Sequence, residues 1–314
     1  MARFAGAREP GCRCQSCVVV MSLRIISIVF PLFAIAALGF VIARRSPPDL
    51  AYMNKLNMDV FVPALVFAAL AGEDFRIADF VPLALAALAV IVGSGTIGYL
   101  LARATGIDIR TFLPPMMFNN CGNLGLPLAV LAFGEQALPA AVVLFMVSNL
   151  LHFSYGVWLL DRGMRLASIW RVPSVMATMA GLGVSAAGIE IWPPLMQAVR
   201  MVGEITIPLM LFSLGARLAD ARFDAWRIGL LAALARPLAG LAVAAPLLWV
   251  FDFSAEERAL VLMFGALPPA VLNYIFAERY RQEPDKVASM VMIGHLAAVP
   301  LLPLVLALAL PQPG

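Results

Sequence analysis

The sequence has 314 residues, of which 62% are hydrophobic and 13% are charged, and its mean hydropathy is +0.91. Because soluble domains carry about a quarter of charged residues, this composition excludes an ordinary soluble domain and predicts a polytopic membrane protein. The net charge of +3 is small. The charged loops are short, so we expect no nucleic-acid partner and no soluble regulatory domain.

The first twenty residues differ from the rest of the chain. They are basic and contain Cys12, Cys14 and Cys17, but no histidine accompanies this C-x-C-x-x-C run, so we expect no metal site. An apolar core followed by a small-residue cleavage site is absent, which argues against a signal peptide. We expect residues 1–20 to be a disordered extension, with Met21 as an alternative start.

Ten apolar segments of about 20 residues follow, the length that a helix needs to cross about 30 Å of hydrocarbon. No β-barrel alternation is present, so the class is all-α. We place the segments near residues 22–43, 50–71, 79–102, 111–133, 137–160, 172–189, 194–216, 226–251, 257–278 and 286–310.

Basic residues concentrate in the loops that connect odd-numbered to even-numbered segments. Because such loops remain in the cytoplasm, both termini are expected on the non-cytoplasmic side of a bacterial cytoplasmic (inner) membrane. The N-terminal tail, with Arg3, Arg8 and Arg13, runs against this pattern unless Met21 is the start. The basic residues in question are Arg44, Arg45, Lys55, Arg103, Arg110, Arg162, Arg165, Arg171, Arg217, Arg222, Arg227, Arg279, Arg281 and Lys286.

The two halves of the chain resemble each other. The stretch 61–70 in segment two is similar to 206–215 in segment seven, and Pro63 and Pro208 are 145 positions apart. The only two histidines are 143 positions apart, and Pro127 and Pro269 are 142 apart. With five crossings per half, the second repeat must run inverted. We therefore predict repeats at residues 21–162 and 163–314.

Segment four contains a helix break where a membrane midplane is expected. The stretch 119–127 combines Asn119, Asn120 and Asn123 with Gly122, Gly125 and Pro127. Proline and glycine interrupt a helix, and unsatisfied backbone groups cost several kcal/mol each in lipid, so the break must be buried or line a cavity.

Segment nine carries a matching interruption at Pro268 and Pro269, followed by Asn273. Paired broken helices in two halves indicate the binding site of a secondary transporter. The second half-helices would direct free N–H groups at an anion. We predict Asn120 and Asn273 as substrate contacts, followed by Asn119 and Asn123. The alternative is that these amides only cap broken backbone.

Five charged or titratable residues lie inside predicted spans. Arg236 is a candidate for attracting the anion, or it snorkels or pairs with a buried acid. Asp59 and Glu204 are candidates for proton coupling, with a structural hydrogen bond, from Lys55 in the case of Asp59, as the alternative. The remaining two are the histidines, His152 and His295, which either relay protons or pack as neutral donors.

These motifs together resemble the auxin efflux carrier family, whose bacterial members include permeases for malate and malonate. The matching residues are Asn120-x-Gly122-x-x-Gly125-x-Pro127, Ala266-Leu267-Pro268-Pro269, Asn273-Tyr274, Ala277-Glu278-Arg279-Tyr280 and the stretch 209–215. The resemblance implies ten helices in a five-plus-five inverted repeat, similar to bile-acid/sodium symporters and sodium/proton antiporters, with crossover helices four and nine. It also implies that Asn120, Pro127 and Pro268 are crossover residues. Plant members tend to have a further proline where this chain has Asn273, so the substrate stays open.

The sequence thus predicts a secondary transporter that moves a small organic anion by alternating access, without a cofactor and not as an enzyme. Membrane lipid is an expected partner, and a coupled proton and a second copy of the chain are candidates. The alternative is a cation/proton exchanger or sodium-coupled symporter on the same fold, although neither break contains a carboxylate. An intramembrane enzyme lacks its motif, since H-E-x-x-H does not occur. A membrane scaffold or receptor would have no use for costly helix breaks.

Overall fold

The computed structural model describes residues 10–72, 76–163, 166–219 and 223–309. This part of the chain is helical, and its one β-type contact is an isolated antiparallel bridge between Asn119 and Pro269. Seven of its helices are long and apolar enough to cross a membrane: Ser22–Arg45, Leu50–Leu70, Ile77–Thr105, Glu135–Leu160, Pro193–Ala219, Trp226–Val250 and Pro284–Ala309. The protein is therefore a polytopic all-α membrane protein.

The helices follow one another with short connections. They are α1 (Pro10–Arg45), α2 (Leu50–Leu56), α3 (Val62–Leu70), α4 (Val81–Thr105), α5 (Ile109–Met117), α6 (Leu126–Phe133), α7 (Leu138–Leu151), α8 (Val157–Leu160), α9 (Pro173–Ala187), α10 (Pro193–Glu204), α11 (Thr206–Ala219), α12 (Trp226–Val250), α13 (Ala255–Ala266), α14 (Val271–Arg279) and α15 (Pro284–Ala309). Wide π-helical turns are found at Asn57–Phe61, Cys121–Gly125 and His152–Gly156, and 3-10 turns at Ile77–Phe80, Glu135–Ala137 and Leu166–Arg171.

The first helix is longer than the sequence analysis expects. It begins at Pro10, so residues 10–20 are helical where a disordered extension is expected, while residues 1–9 lie outside the described part. Proline is favourable in a first helical turn, because its missing N–H would have no partner there. No other proline and no glycine occurs between Cys12 and Phe30, so the chain offers no stop signal before the apolar run.

Two of the π turns immediately precede a proline. The turn Asn57–Phe61 ends two residues before Pro63, and the turn Cys121–Gly125 ends two residues before Pro127. A proline ring clashes with the carbonyl four residues earlier and cannot donate to it. A widened turn accommodates the ring without ending the helix. The sequence cue at Pro127 therefore marks a wide turn rather than the interruption itself.

The helices pack into two groups. One group comprises α1, α2–α3, α9 and α10–α11, and the other comprises α4, α5–α6, α7–α8 and α12 to α15. Within the first group, α1 and α11 touch backbone to backbone: a Cβ on Gly215 would lie 1.7 Å from the Ala36 carbonyl oxygen, and one on Gly39 would lie 2.1 Å from the Phe212 carbonyl oxygen. Small residues allow this close approach of helices in lipid.

We expect Gly215→Ala to destabilise the protein strongly, because an added methyl group meets backbone that cannot rotate away. Overpacking of this kind costs about 3 kcal/mol or more when backbone must shift. Gly183→Ala in α9 is the matched control, because a Cβ there meets no atom within 4 Å. Thermal unfolding of the purified protein in detergent checks both variants. Equal melting temperatures for the two would contradict the packing argument.

Candidate substrate site at two interrupted helices

Two helices are interrupted inside the second group, and the interruptions touch. Helix α5 ends at Met117 and α13 ends at Ala266. Between each end and the next helical turn, the chain is extended over residues 118–120 and 267–270. The two stretches run antiparallel, with the Asn119–Pro269 bridge at their centre.

Backbone groups freed by the interruptions bind each other. The N–H of Asn120 donates to the Pro268 carbonyl at 2.8 Å, and the N–H of Ala270 donates to the Phe118 carbonyl at 2.9 Å. Since hydrocarbon offers no water to replace such partners, this pairing allows both helices to stop inside the bundle.

The residues expected to form the breaks divide between two locations. Pro268 and Pro269 lie in the extended stretch after α13, whereas Gly122, Gly125 and Pro127 lie in the second half-helix after the interruption. Both glycines allow close packing: a Cβ on Gly122 would lie 3.1 Å from Phe145, and one on Gly125 would lie 2.9 Å from Leu267. The pairing of Pro127 with Pro269 is thus not a structural equivalence.

Two of the asparagines hold the break of the fourth segment. The Nδ2 group of Asn119 donates to the Phe264 carbonyl at 2.5 Å, in the last turn of α13. The Nδ2 group of Asn120 lies 2.7 Å from Nε2 of His295, and its Oδ1 accepts from the Asn123 N–H at 3.2 Å. Asn119 and Asn120 are buried, whereas Asn123 is half-buried.

Asn273 forms hydrogen bonds with backbone carbonyls at the second break. Its Nδ2 group donates to the carbonyls of Phe118 and Ala270, each at 3.0 Å. The Oδ1 atoms of Asn273 and Asn119 are buried without a hydrogen-bond partner in the described residues. In this conformation the amides therefore cap broken backbone, which is the alternative left open above. Their free atoms are acceptors, which suit a donor or a cation rather than an anion.

Arg236 provides free donors close to the break. Its side chain is fully buried in α12, and Nη1 donates to the Gly265 carbonyl at 3.0 Å. The Nε and Nη2 atoms have no partner among the described residues. The one ion pair within the described ranges joins Lys286 and Glu283, so no described acid neutralises Arg236. Zero exposure also excludes snorkelling. A contact between Gly240 and the Gly265 carbonyl brings α12 and α13 together here.

The start of the second half-helix is within electrostatic range of this guanidinium. The thiol of Cys121 is within reach of the Ser148 hydroxyl and of the N–H groups of Cys121 and Gly122, and the charge of Arg236 acts on it. A helix N-terminus with free N–H groups and a partial positive charge attracts anions. Because a buried guanidinium adds a full charge and two donors, this corner has the chemistry of a carboxylate site.

Asp59 and Glu204 are not part of this arrangement. Asp59 lies in the π turn before α3, Glu204 ends α10, and both side chains are exposed on the first group of helices. His295 is buried with both ring nitrogens engaged: Nδ1 lies 2.7 Å from the Val291 carbonyl, and Nε2 faces Asn120. Assigning the proton to Nδ1 satisfies both contacts.

Arg217 is a functional candidate that the sequence analysis assigned to a loop. It lies in the last turn of α11, is half-buried, and has a buried Nε without a hydrogen-bond partner in the described part. Glu278 on α14 exerts an electrostatic attraction on it, without an ion pair between the two within the described residues. This attraction acts between the two helix groups. The sequence analysis could have identified Arg217 by continuing the helix of the 209–215 stretch to residue 217.

The loop before α15 closes the same end of the bundle. Thr111, at the start of α5, donates to Glu283 at 2.6 Å and accepts from Gln282 at 2.9 Å. Hydrogen bonds from Lys286 and Thr111 hold the pKa of Glu283 below its usual range, so this carboxylate stays ionised at neutral pH. Arg281 and Glu283 have positive φ angles of 54° and 41°, which indicates that tertiary contacts hold the loop in this shape.

No site for a metal emerges from the described residues, in which no three His, Cys, Asp or Glu side chains cluster. The side chains of Cys12, Cys14 and Cys17 lie outside the described part. Cys121 is buried and not in a disulfide.

The sequence of this chain is similar to those of known membrane proteins. The sequence model of a family described as "membrane transport protein" matches residues 24–169 and 162–306. The chain belongs to this family, the auxin efflux carriers. It is a transporter and not an enzyme, which confirms the resemblance found from the sequence. An integral membrane location agrees with the seven spans.

Two relatives cover much of the chain. A protein of Methanothermobacter thermautotrophicus named "Uncharacterized transporter" is 26% identical over 303 residues, which cover 88% of this chain and 95% of the relative. A protein of Rhizobium meliloti named "Putative malonate transporter" is 24% identical over 221 residues, which cover 62% of this chain and 67% of the relative.

We expect Asn273→Ala to lower the free energy of unfolding by about 1–3 kcal/mol, because it leaves the buried Phe118 carbonyl with one donor fewer. Asn123→Ala is the matched control, since that half-buried side chain makes no hydrogen bond within the described residues, and it should change stability by less than about 0.5 kcal/mol. Thermal or denaturant unfolding in detergent measures both. If Asn273→Ala is as stable as the control, Asn273 does not hold the break.

Proposed function

We propose that the protein is a secondary transporter of a small carboxylate anion across a bacterial cytoplasmic membrane. In this proposal ten segments cross the membrane in an inverted five-plus-five repeat. The ten are the seven long spans, the interrupted pairs α5–α6 and α13–α14, and the shorter helix α9. Basic residues in the odd-to-even loops support a cytoplasmic location for those loops.

The buried state of Arg236 carries the assignment of an anionic substrate. A guanidinium removed from water costs several kcal/mol unless it is paired and hydrogen-bonded. Here Nε and Nη2 have no partner within the described residues, and the guanidinium is within electrostatic range of Cys121 at a half-helix N-terminus. A carboxylate bound at this corner would satisfy the free donors and the charge together. We assign the substrate carboxylate to Arg236 and the N–H groups of Cys121 and Gly122.

The substrate class follows from this corner and from the named relative. One guanidinium edge and one helix N-terminus fit a small carboxylate rather than a large apolar one. Malonate, named for the Rhizobium meliloti relative, is the first candidate and malate the second. Asn120, Asn273 and Asn119 hold the surrounding backbone. We expect these three and Asn123 to reach the substrate only when the breaks separate.

Alternating access is supported by the division into two helix groups. Opposite charges on Arg217 of α11 and Glu278 of α14 attract each other between the two groups, at the end that we assign to the cytoplasm. Polar contacts can break and reform with little loss when water enters, unlike tight apolar packing. We propose that one group moves against the other while these contacts open.

A sodium-coupled symporter is the second candidate. The buried Oδ1 atoms of Asn119 and Asn273 are acceptors without donors, and sodium prefers oxygen ligands. The breaks themselves contain no carboxylate to bind a cation. Replacing sodium with potassium in a transport assay distinguishes this candidate.

We expect Arg236→Met to remain folded but to lose counterflow of labelled malonate in proteoliposomes at least tenfold. Replacing a buried charge by an apolar side chain of similar length is often neutral or stabilising, whereas one lost charge-assisted contact of about 1.5–3 kcal/mol corresponds to tenfold or more in affinity. Arg236→Lys, which keeps the charge, should retain part of the activity.

Arg103→Gln, an exposed position at the end of α4, is the matched control and should transport like the wild type. Malonate should raise the melting temperature of the wild type and of Arg103→Gln, but not of Arg236→Met. Counterflow by Arg236→Met within twofold of the wild type would remove Arg236 from the site. Absence of counterflow by the wild type with any small carboxylate would overturn the proposed function.

A further inference from the structure

An apolar groove of ≈ 200 Å³ lies on the seam between the two helix groups. One wall belongs to the first group and consists of Leu70 at the end of α3 with Thr178 and Leu182 on α9. The other wall belongs to the second group and is formed by the 3-10 turn before α4, by α4 itself and by α7. None of the residues that line the groove belongs to the candidate substrate site.

The chemistry of the walls excludes a charged occupant. The described residues that line the groove are apolar except Thr178. The hydroxyl of Thr178 is engaged, since it lies 2.7 Å from the Ser174 carbonyl and also contacts the sulfur of Met146. Transfer of a charged group to such a surface costs several kcal/mol. The groove therefore accepts an apolar molecule and does not serve the transported anion.

The groove opens on the surface that the spans present to lipid. Its walls include residues of three long spans, Leu50–Leu70, Ile77–Thr105 and Glu135–Leu160. At one margin, Ile77 and Val81 are 45% and 47% exposed, and beside the other margin Met179 is 55% exposed. Both margins thus continue into the apolar outer surface of the helices, where the surrounding medium is hydrocarbon. The molecules that can enter from there are acyl chains.

The course of the groove matches that of a lipid chain. Leu70 is the last residue of α3 and Ile77 is the first residue of the next span, so the groove begins at span ends, where lipid head groups meet hydrocarbon. From Ile77 to Ala84 it descends by about 10 Å at 1.5 Å per helical residue. An acyl chain also runs from the head-group level into the hydrocarbon.

The volume of the groove fits part of one chain. An apolar cavity of about 150 Å³ binds benzene, which has six carbon atoms, so ≈ 200 Å³ accommodates about eight carbon atoms. Pockets that enclose larger ligands have about 300–1,000 Å³. The groove is thus too small for a whole lipid and has the size of a chain segment whose remainder stays in the bilayer.

A charge of each sign lies at the outer end of the groove. Arg76 directly precedes Ile77, and Asp79 lies in the 3-10 turn that follows; both are exposed. The Asp79 N–H donates to the Arg76 carbonyl at 3.1 Å. The two side chains form no ion pair within the described residues. Phosphate favours an arginine and an amine favours a carboxylate, so this end suits the head group of phosphatidylethanolamine.

We propose that the groove binds one acyl chain of a phospholipid, with the head group at Arg76 and Asp79. This assignment does not depend on which substrate the protein transports. Beyond the groove the seam is closed by protein contacts: Asn149 donates to the Ser174 hydroxyl at 2.9 Å, and Thr178 contacts Met146. Within the groove a lipid chain takes the place of such contacts. Because it touches both groups, it favours the arrangement in which their walls lie at this separation.

The test uses phosphatidylethanolamine with a photoreactive diazirine on one acyl chain, in proteoliposomes of the purified protein. After irradiation, peptide mass spectrometry locates the adducts. Ala84→Phe places a ring of benzene size in the groove, and Ala242→Phe, at an exposed position on α12 outside the groove, is the matched control. We expect wild-type adducts in residues 143–147 and 178–182. Their yield should fall at least fivefold in Ala84→Phe and stay within twofold in the control.

Two results would overturn the assignment. One is an adduct yield in Ala84→Phe equal to that of the wild type. The other is wild-type labelling of residues 143–147 and 178–182 no stronger than that around Leu234 and Leu238, exposed residues of α12, which would indicate a general lipid coat. The second comparison needs no variant and decides the matter if Ala84→Phe does not fold. Transport is not measured, so failure of the proposed function would leave this result unchanged.

Discussion

Backbone pairing between two interrupted helices is the constraint on which the second group of helices depends. A helix that stops inside a membrane leaves N–H and C=O groups that lipid cannot satisfy, at several kcal/mol each. Here each interruption supplies the partners of the other, through Asn120 with Pro268 and Ala270 with Phe118. Asn119, Asn120 and Asn273 then bind further carbonyls and the imidazole of His295. The breaks are stable because they occur as a pair.

This pairing also determines where charge can be placed. Arg236 reaches the Gly265 carbonyl at the end of α13, where a helix C-terminus attracts a cation. The start of the half-helix that follows α5, at Cys121, attracts an anion. His152 stacks on Phe118, which belongs to the first of the two extended stretches.

The two helix groups differ in the contacts that hold them. The first group contains backbone contacts without space for a methyl group, as between Gly215 and Ala36, so it is suited to act as a rigid support. Between the groups, opposite charges on Arg217 and Glu278 attract each other without forming an ion pair within the described residues. Membrane helices that pack through small residues resist separation, whereas exposed polar contacts cost little to exchange for water.

Sequence reasoning succeeded where the signal is local. Apolar length identified the membrane spans, and the order of Asn120, Gly122, Gly125 and Pro127 with Pro268 and Pro269 identified the family. It was less accurate about the interruption itself, because the helix stops before Gly122 and resumes with a π turn ahead of Pro127. The residues that leave the helix are determined by pairing with an extended stretch 150 positions away. Local propensity contains no information about such a partner.

The sequence by itself determined an all-α membrane protein with helix-breaking residues at two places, because hydropathy, proline and glycine act through the chain's own backbone. Only the tertiary structure decided which polar groups form hydrogen bonds with the backbone and which have no hydrogen-bond partner. Asp59 and Glu204 proved to lie on an outer surface, the amide nitrogens of Asn119, Asn120 and Asn273 proved to be engaged, and Arg236 proved to keep two unpaired nitrogens. Those outcomes depend on which helices meet, and for a buried polar atom the neighbour, not the residue type, determines the free energy.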